Sequence, residues 1–352
     1  MENTKFSAEI VQIEKITFLY FICSVLVVYI HNNSIYYYLG NIDVDIFLSE
    51  YFSDQFTRFT IPLFLILSGA LFYRNFQYNK IILKFKKRYK SLLIPYFFWN
   101  TISLMFVICI TYMPFIRAYV SQRELFEPSV QNIFAGIFLN KYYGPFWFIK
   151  DLLIFTLFSP AIFSFLKIKL VGIGAILLLY VLSAFGMGLP ESVFFSNQAV
   201  VCYLIGGYIG VHYGGLLSYK INDKLIIIGT IGFVAVSCVL MYDKYVGGIL
   251  SRDVMFTVII LHCASIWLIC NPSTGTIRSR WWLSCSFFIF ATHEYVQPII
   301  SKFLYLIGPK NTFFAYQNFF ISPLISVAII LYFASLMRKH VPTIWRISTG
   351  DR

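Results

Sequence analysis

Long apolar runs constrain this chain more than any other feature. A helix crossing about 30 Å of hydrocarbon needs about 20 mostly apolar residues. Ten segments meet or approach that length: 13–32, 56–73, 92–113, 145–165, 170–187, 197–213, 225–241, 254–270, 281–304 and 314–336. Composition supports the same reading. Only 12% of the 352 residues are charged, while 59% are hydrophobic and 20% aromatic; a soluble domain carries about 25% charged residues. So little charge cannot cover a water-soluble fold, which excludes a cytosolic enzyme, a disordered chain and a disulfide scaffold. The expectation is an all-α integral membrane protein, a bundle of about ten transmembrane helices forming one domain over 1–352 with no soluble accessory domain.

The formal net charge of +12 raises the question of nucleic acid. A nucleic-acid binder clusters its cations on a solvated face, whereas here Lys and Arg fall mostly in short gaps between apolar runs, so no nucleic-acid partner is expected. Cytoplasmic loops carry the Lys/Arg excess. With the N-terminus inside, every inside segment holds at least two cations, and residues 74–90 alone hold seven (Arg74, Lys80, Lys84, Lys86, Lys87, Arg88 and Lys90). The pattern needs an even number of spans and places both termini in the cytoplasm. The first residues are largely polar and lead into a full-length apolar run without a small-residue cleavage pattern, so a retained first span is expected. The seven cysteines lie in or beside apolar segments without CxxC or Cys/His spacing, which points to free thiols and to no metal site. The long outside stretches, 33–55 and 114–143, are rich in Tyr, Phe and Asn. They read either as interfacial aromatic belts or as a surface for sugars or lipid head groups.

Ionisable residues inside a membrane are costly and usually face the bundle interior or a wet cavity. His31 closes the first span. At 100° per residue, Ser24, Tyr20 and Thr17 lie within roughly 40° of its azimuth, a polar stripe about 20 Å long. It reads equally as a channel lining or as an interfacial His bonded to a neighbour. In the ninth span Ser286, Phe290, His293 and Gln297 recur at helical spacing with Glu294 beside the His. This face can tune an imidazole or simply hold helices together. The fourth span opens Gly144-Pro145-Phe146-Trp147-Phe148-Ile149-Lys150-Asp151. Trp147 and Asp151 share a face at i, i+4, and the Lys150/Asp151 pair either anchors the helix or grips a polar substrate. The run Lys84-Phe85-Lys86-Lys87-Arg88-Tyr89-Lys90 satisfies topology, and would also attract anionic lipid or the phosphates of a nucleotide-containing donor.

At these residues the chain resembles the membrane-bound acyltransferase 3 family, bacterial proteins that acylate surface polysaccharides, lipopolysaccharide sugars and related glycans. The likeness runs through the first helix ending in His31, Ile61-Pro62-Leu63-Phe64-Leu65-Ile66-Leu67-Ser68-Gly69, the basic run leading to Leu92-Leu93-Ile94-Pro95-Tyr96, Phe146-Trp147-Phe148-Ile149, Leu204-Ile205-Gly206-Gly207-Tyr208, and Ser286-Phe287-Phe288-Ile289-Phe290-Ala291-Thr292-His293-Glu294. The resemblance implies a ten-span core in the bacterial inner membrane, no permanently bound cofactor, and acyl-CoA (acetyl-CoA foremost) as the cytoplasmic co-substrate. It implies a glycan or lipid-linked glycan acceptor, with membrane lipids and a second copy or polysaccharide-assembly proteins as further partners.

On this reading His31 corresponds to the family's first-span histidine and acts as general base in O-acyl transfer; a transient acyl-His is the variant. Asp151, His293 and Glu294 would orient it or contact the sugar. Trp147, Lys150 and Ser68 would contact substrate, Arg88, Lys87 and Lys86 the donor phosphates, and Tyr20 and Ser24 the donor arm. Two departures stand out. Tyr20 occupies a usual Arg position, and Ser91 that of a second cation after Arg88; Tyr cannot hold a permanent charge. Donor binding then rests on Lys86, Lys87, Arg88 and Lys90, or another donor is used, or activity is lost. The competing classes are a transporter or flippase for lipid-linked sugars, for which Gly206, Gly207, Gly210 and Pro298 supply possible helix breaks, and a non-catalytic subunit of a polysaccharide assembly system.

Overall fold

Apolar sequence in a lipid solvent forces the backbone to satisfy its own hydrogen bonds, and a helix does so within one segment. The computed structural model describes residues 2–40, 42–113, 125–184, 196–219, 221–270 and 280–351, and these are overwhelmingly helical. The expected cations Lys220, Arg278 and Arg352, residues 114–124 of the second outside stretch and the end of the fifth expected span lie outside the described residues.

The helices are α1 (Glu2–Ile30), α2 (Phe47–Glu50), α3 (Thr60–Tyr73), α4 (Ile81–Arg88), α5 (Ile94–Tyr112), α6 (Val130–Phe138), α7 (Trp147–Leu157), α8 (Ser159–Leu166), α9 (Lys169–Ala184), α10 (Asn197–His212), α11 (Asp223–Tyr245), α12 (Arg252–Ile269), α13 (Ser286–Ile307), α14 (Thr312–His340) and α15 (Pro342–Thr349). Each of the ten expected spans falls on a helix or on the bent pair α7/α8. Length and apolarity set a stricter count: among the described residues six helices can cross a membrane alone, or seven if the bent pair is one span. The 69° bend falls where Phe158 ends α7 and Ser159-Pro160 opens α8; proline lacks the N–H an interior turn would use and fits a first helical turn best, although Pro298 and Pro323 lie inside α13 and α14. Helices α9 and α10 have 16 residues each, short for a full crossing.

Polar residues at segment starts begin several of these helices. The side chains of Ser129, Ser196, Asn222, Ser251 and Asn311 accept backbone N–H groups of their first turns, as N-caps do. The closest helix pair is α3 with α10. A Cβ at Gly206 would lie 1.9 Å from the Ile66 carbonyl oxygen, and one at Gly210 2.3 Å from that of Ala70. Only glycine permits this backbone contact, the small-residue packing typical of membrane helices.

One end of the bundle is basic. There Lys84 Nζ donates to the Phe72 carbonyl, and the Arg88 guanidinium sits 5.4 Å from the Phe72 ring centroid. Lys86, Lys87 and Lys90 are exposed. Helix α15 closes this end: Trp345 packs on Phe288 at 5.1 Å, and Trp99 Nε1 donates to the Ser348 carbonyl at 2.8 Å. Gly350, at φ +72°, lies so near Ser91 that a Cβ would come within 2.6 Å of its Cα. At the opposite end Lys244 Nζ pairs with Glu50 at 2.8 Å, and Tyr36 donates to the same carboxylate at 2.9 Å.

Candidate active site

His31 follows the last turn of α1, its N–H still bonded to the Val27 carbonyl at 3.3 Å. The next residue fixes its place. Asn32 is buried, donates to the Phe319 carbonyl of α14 at 2.7 Å and accepts the Ser34 N–H at 3.1 Å. This clamps the end of α1 and turns the chain. Sequence reading missed Asn32; an Asn immediately after a helix-closing His was the available signal.

Helix α13 brings up the partners. His31 Nδ1 lies 3.6 Å from Glu294 Oε1, and the His31 and His293 rings are 5.1 Å apart. Both pair members are partly open, with side-chain exposures of 37% for His31 and 20% for Glu294. His293 is fully buried beneath them, with Nδ1 2.7 Å from the Phe290 carbonyl. A carbonyl only accepts, so Nδ1 carries the proton. Its Nε2 is a buried acceptor without a hydrogen bond among the described residues. The loop before α7 supports this group from the side. Buried Tyr143 donates to the Ala291 carbonyl at 3.0 Å and stacks on Tyr295 at 5.5 Å, and a Cβ at Gly144 would stand 4.0 Å from Glu294 Oε1. Neither Tyr143 nor Gly144 was singled out from the sequence, because their role exists only once α7 and α13 meet.

The other expected site residues fall into separate places. Asp151 is buried and its Oδ2 accepts the Ser196 N–H at 3.4 Å; its carboxylate serves the start of α10, where an anion is favoured. Trp147 is exposed at the start of α7, and Lys150 is half-buried beside Asp151. Ser68 is buried next to Gly69, which packs on the Tyr203 carbonyl of α10. Tyr20 stacks on Phe64 at 5.1 Å, and Ser24 returns its hydroxyl to the Tyr20 carbonyl at 2.8 Å. Gln297 bonds Ser322 and Ser326 of α14 at 2.9 and 2.6 Å, a helix-to-helix role. Arg88 turns onto Phe72, whereas Lys86 and Lys87 are exposed at the basic end.

Depth follows from helix geometry. His293 is seven residues into α13, about 10 Å from that helix's start at 1.5 Å per residue, and the start faces the basic end through the Phe288–Trp345 contact. The His31 group therefore sits inside the bundle. Contacting rings link it to the first-helix stripe: Tyr20, Phe64, Phe148, Phe290 and His293 follow one another at 5.1, 5.9, 4.7 and 5.8 Å.

Chemically, the arrangement offers an imidazole with a carboxylate at one nitrogen and an accessible face. A carboxylate near Nδ1 favours the tautomer with its proton there, leaving Nε2 as a base. No solved structure matches the chain. It is 22% identical over 339 residues to the succinoglycan biosynthesis protein ExoH of Rhizobium meliloti (strain 1021), covering 90% of this chain and 85% of that protein. Residues 13–338 match the family described as the acyltransferase domain. With nearly every helix of the bundle inside that match, the chain belongs to the acyltransferase 3 family and is an acyltransferase.

Proposed function

We propose that this protein transfers an acyl group, acetyl foremost, from cytoplasmic acyl-CoA to a hydroxyl of an envelope or exported glycan. It would act as a multi-pass protein of the bacterial inner membrane, with the basic end and both termini in the cytoplasm. The family membership supports acyl transfer, and the ExoH relative, named for succinoglycan biosynthesis, supports a polysaccharide acceptor. The single observation that carries the site assignment is the His31–Glu294 contact at 3.6 Å with the His31 ring partly open.

In this reading Glu294 holds the His31 imidazole through Nδ1. Nε2 takes the proton of the acceptor hydroxyl as its oxygen attacks the thioester carbonyl. The tetrahedral intermediate then collapses, the C–S bond breaks, and the thiolate leaves with the proton returned by the imidazolium. A neutral imidazole can take the hydroxyl proton as general base and return it to the thiolate as general acid. Arg88 supports the donor at the basic end, and Trp147 and Lys150 the acceptor. Lys86, Lys87 and Ser68 stand apart from the His31 group.

The test is transfer of labelled acetyl from acetyl-CoA to glycan by the protein in proteoliposomes. General-base help contributes about 10²–10⁴ in rate, so His31→Ala lowers transfer at least 100-fold while inserting normally. Transfer near the wild-type rate in that variant removes His31 as base.

A further inference from the structure

A second site lies at the basic end, away from His31. Beyond the last turn of α3 is a cavity of about 400 Å³, lined among others by Arg74, Asn75, Phe76, Phe163, Gly214 and Gly215. Three kinds of surface meet there. Phe76 and Phe163 form an aromatic wall, their rings 4.6 Å apart. Arg74 is the cation: its Nη2 donates to Ser218 Oγ at 3.2 Å, one of five N–H donors in a guanidinium. Gly214 and Gly215 leave the main chain bare, and a Cβ at Gly215 would meet nothing within 4 Å. The positive field extends past the rim. Lys84 Nζ lies 5.5 Å from the Phe76 ring centroid, and Lys169 Nζ lies 5.8 Å from that of Tyr213, beside Gly214. Among the described lining residues none is acidic.

An aromatic wall stacks a base, a guanidinium forks onto phosphate, and bare main chain admits an anion closely. The distance to the reaction centre narrows the ligand further. Tyr20 contacts Phe64. From that level His31 is eleven residues along α1, and Arg74 is ten residues the other way along α3. At 1.5 Å per residue Arg74 and His31 lie on the order of 20–30 Å apart along the bundle. A ligand that fills the cavity and reacts at His31 must carry its acyl group on a long arm, which excludes small acyl phosphates and simple esters.

We propose that this cavity binds the phosphorylated adenosine head of the acyl-CoA donor, with Arg74 on the phosphates and the Phe76–Phe163 wall against the base. This deepens the acyl-CoA reading above and rests on it. Arg74 supplies the fixed charge that Tyr20 and Ser91 cannot.

Binding of labelled coenzyme A to the full-length protein in nanodiscs tests it, with adenosine 3′,5′-bisphosphate as competitor. Wild type binds coenzyme A and the bisphosphate displaces it. Arg74→Gln, which keeps an amide for Ser218, weakens both ligands at least tenfold. Gly215→Phe fills the open space without a steric clash at its Cβ and weakens both likewise. His31→Ala binds both as wild type does. Coenzyme A binding unchanged in Arg74→Gln and Gly215→Phe, or no displacement by the bisphosphate, overturns the proposal while His31-dependent transfer stands. No binding of coenzyme A to wild type overturns the proposal and the donor reading together.

Discussion

At the scale of single residues, two histidines whose rings lie 5.1 Å apart have different tasks. His293 is buried and spends its Nδ1 proton on the Phe290 carbonyl, so its orientation is set by the backbone of its own helix. His31 is partly open, and Glu294 is the acid beside its Nδ1. Altering the residue that orients a metal-bound imidazole typically costs 10–100-fold, and the same scale is applied to an imidazole held by a carboxylate alone. Glu294→Gln therefore lowers acyl transfer by about that factor, with a smaller effect than His31→Ala, measured as initial rates at equal inserted protein; a rate equal to wild type removes Glu294 from the machinery. The sequence named all three residues and set Glu294 beside the second imidazole, but the pairing with His31 was not legible. Helical spacing orders residues along one helix, and contact across 263 positions depends on how α1 and α13 pack. Tyr143 and Gly144 escaped for the same reason, whereas Asn32 was overlooked although its place directly after His31 was visible. Asp151 was visible as a buried charge, yet its partner is a backbone N–H at Ser196, which no side-chain motif announces.

At the scale of elements, apolar length located the helices and glycine placement explains how tightly two of them meet. The α3–α10 crossing leaves no room for a Cβ at Gly206. Gly206→Val drives the helices apart and costs at least about 1–3 kcal/mol, as overpacking does. The expected result is a lowered thermal midpoint in detergent and less protein in the membrane; an unchanged midpoint contradicts the close crossing. The run 84–90 shows where periodicity stops short. It read as one cationic cluster, but the fold divides it: Lys84 and Arg88, one turn apart, reach Phe72, while Lys86, Lys87 and Lys90 are exposed. The bend between α7 and α8 was also hidden inside one expected span, because Ser159-Pro160 is compatible either with a kink or with a new first turn.

At the scale of the whole molecule, the bundle is polarised. A cation-rich end closed by α15 lies on one side, an ion-paired cap of Tyr36, Glu50 and Lys244 on the other, and the His31–Glu294 group sits between them. Positive charge at one end of a membrane bundle orients it in the bilayer. In the proposed cycle the donor head stays at that end while its acyl arm reaches into the bundle, and the acceptor enters from the other. Composition and charge alternation made the membrane class and the basic end readable from the sequence. The depth of the site was not readable, because it depends on where the end of α1 meets the middle of α13. His31 stands at the centre of the proposed acyl transfer onto an envelope glycan. Mass spectrometry of envelope glycans from strains carrying wild type, His31→Ala and a deletion tests it most directly. One acyl mass per modified unit disappears in both the variant and the deletion while the glycan itself persists; full acylation in the His31→Ala strain contradicts the role of His31.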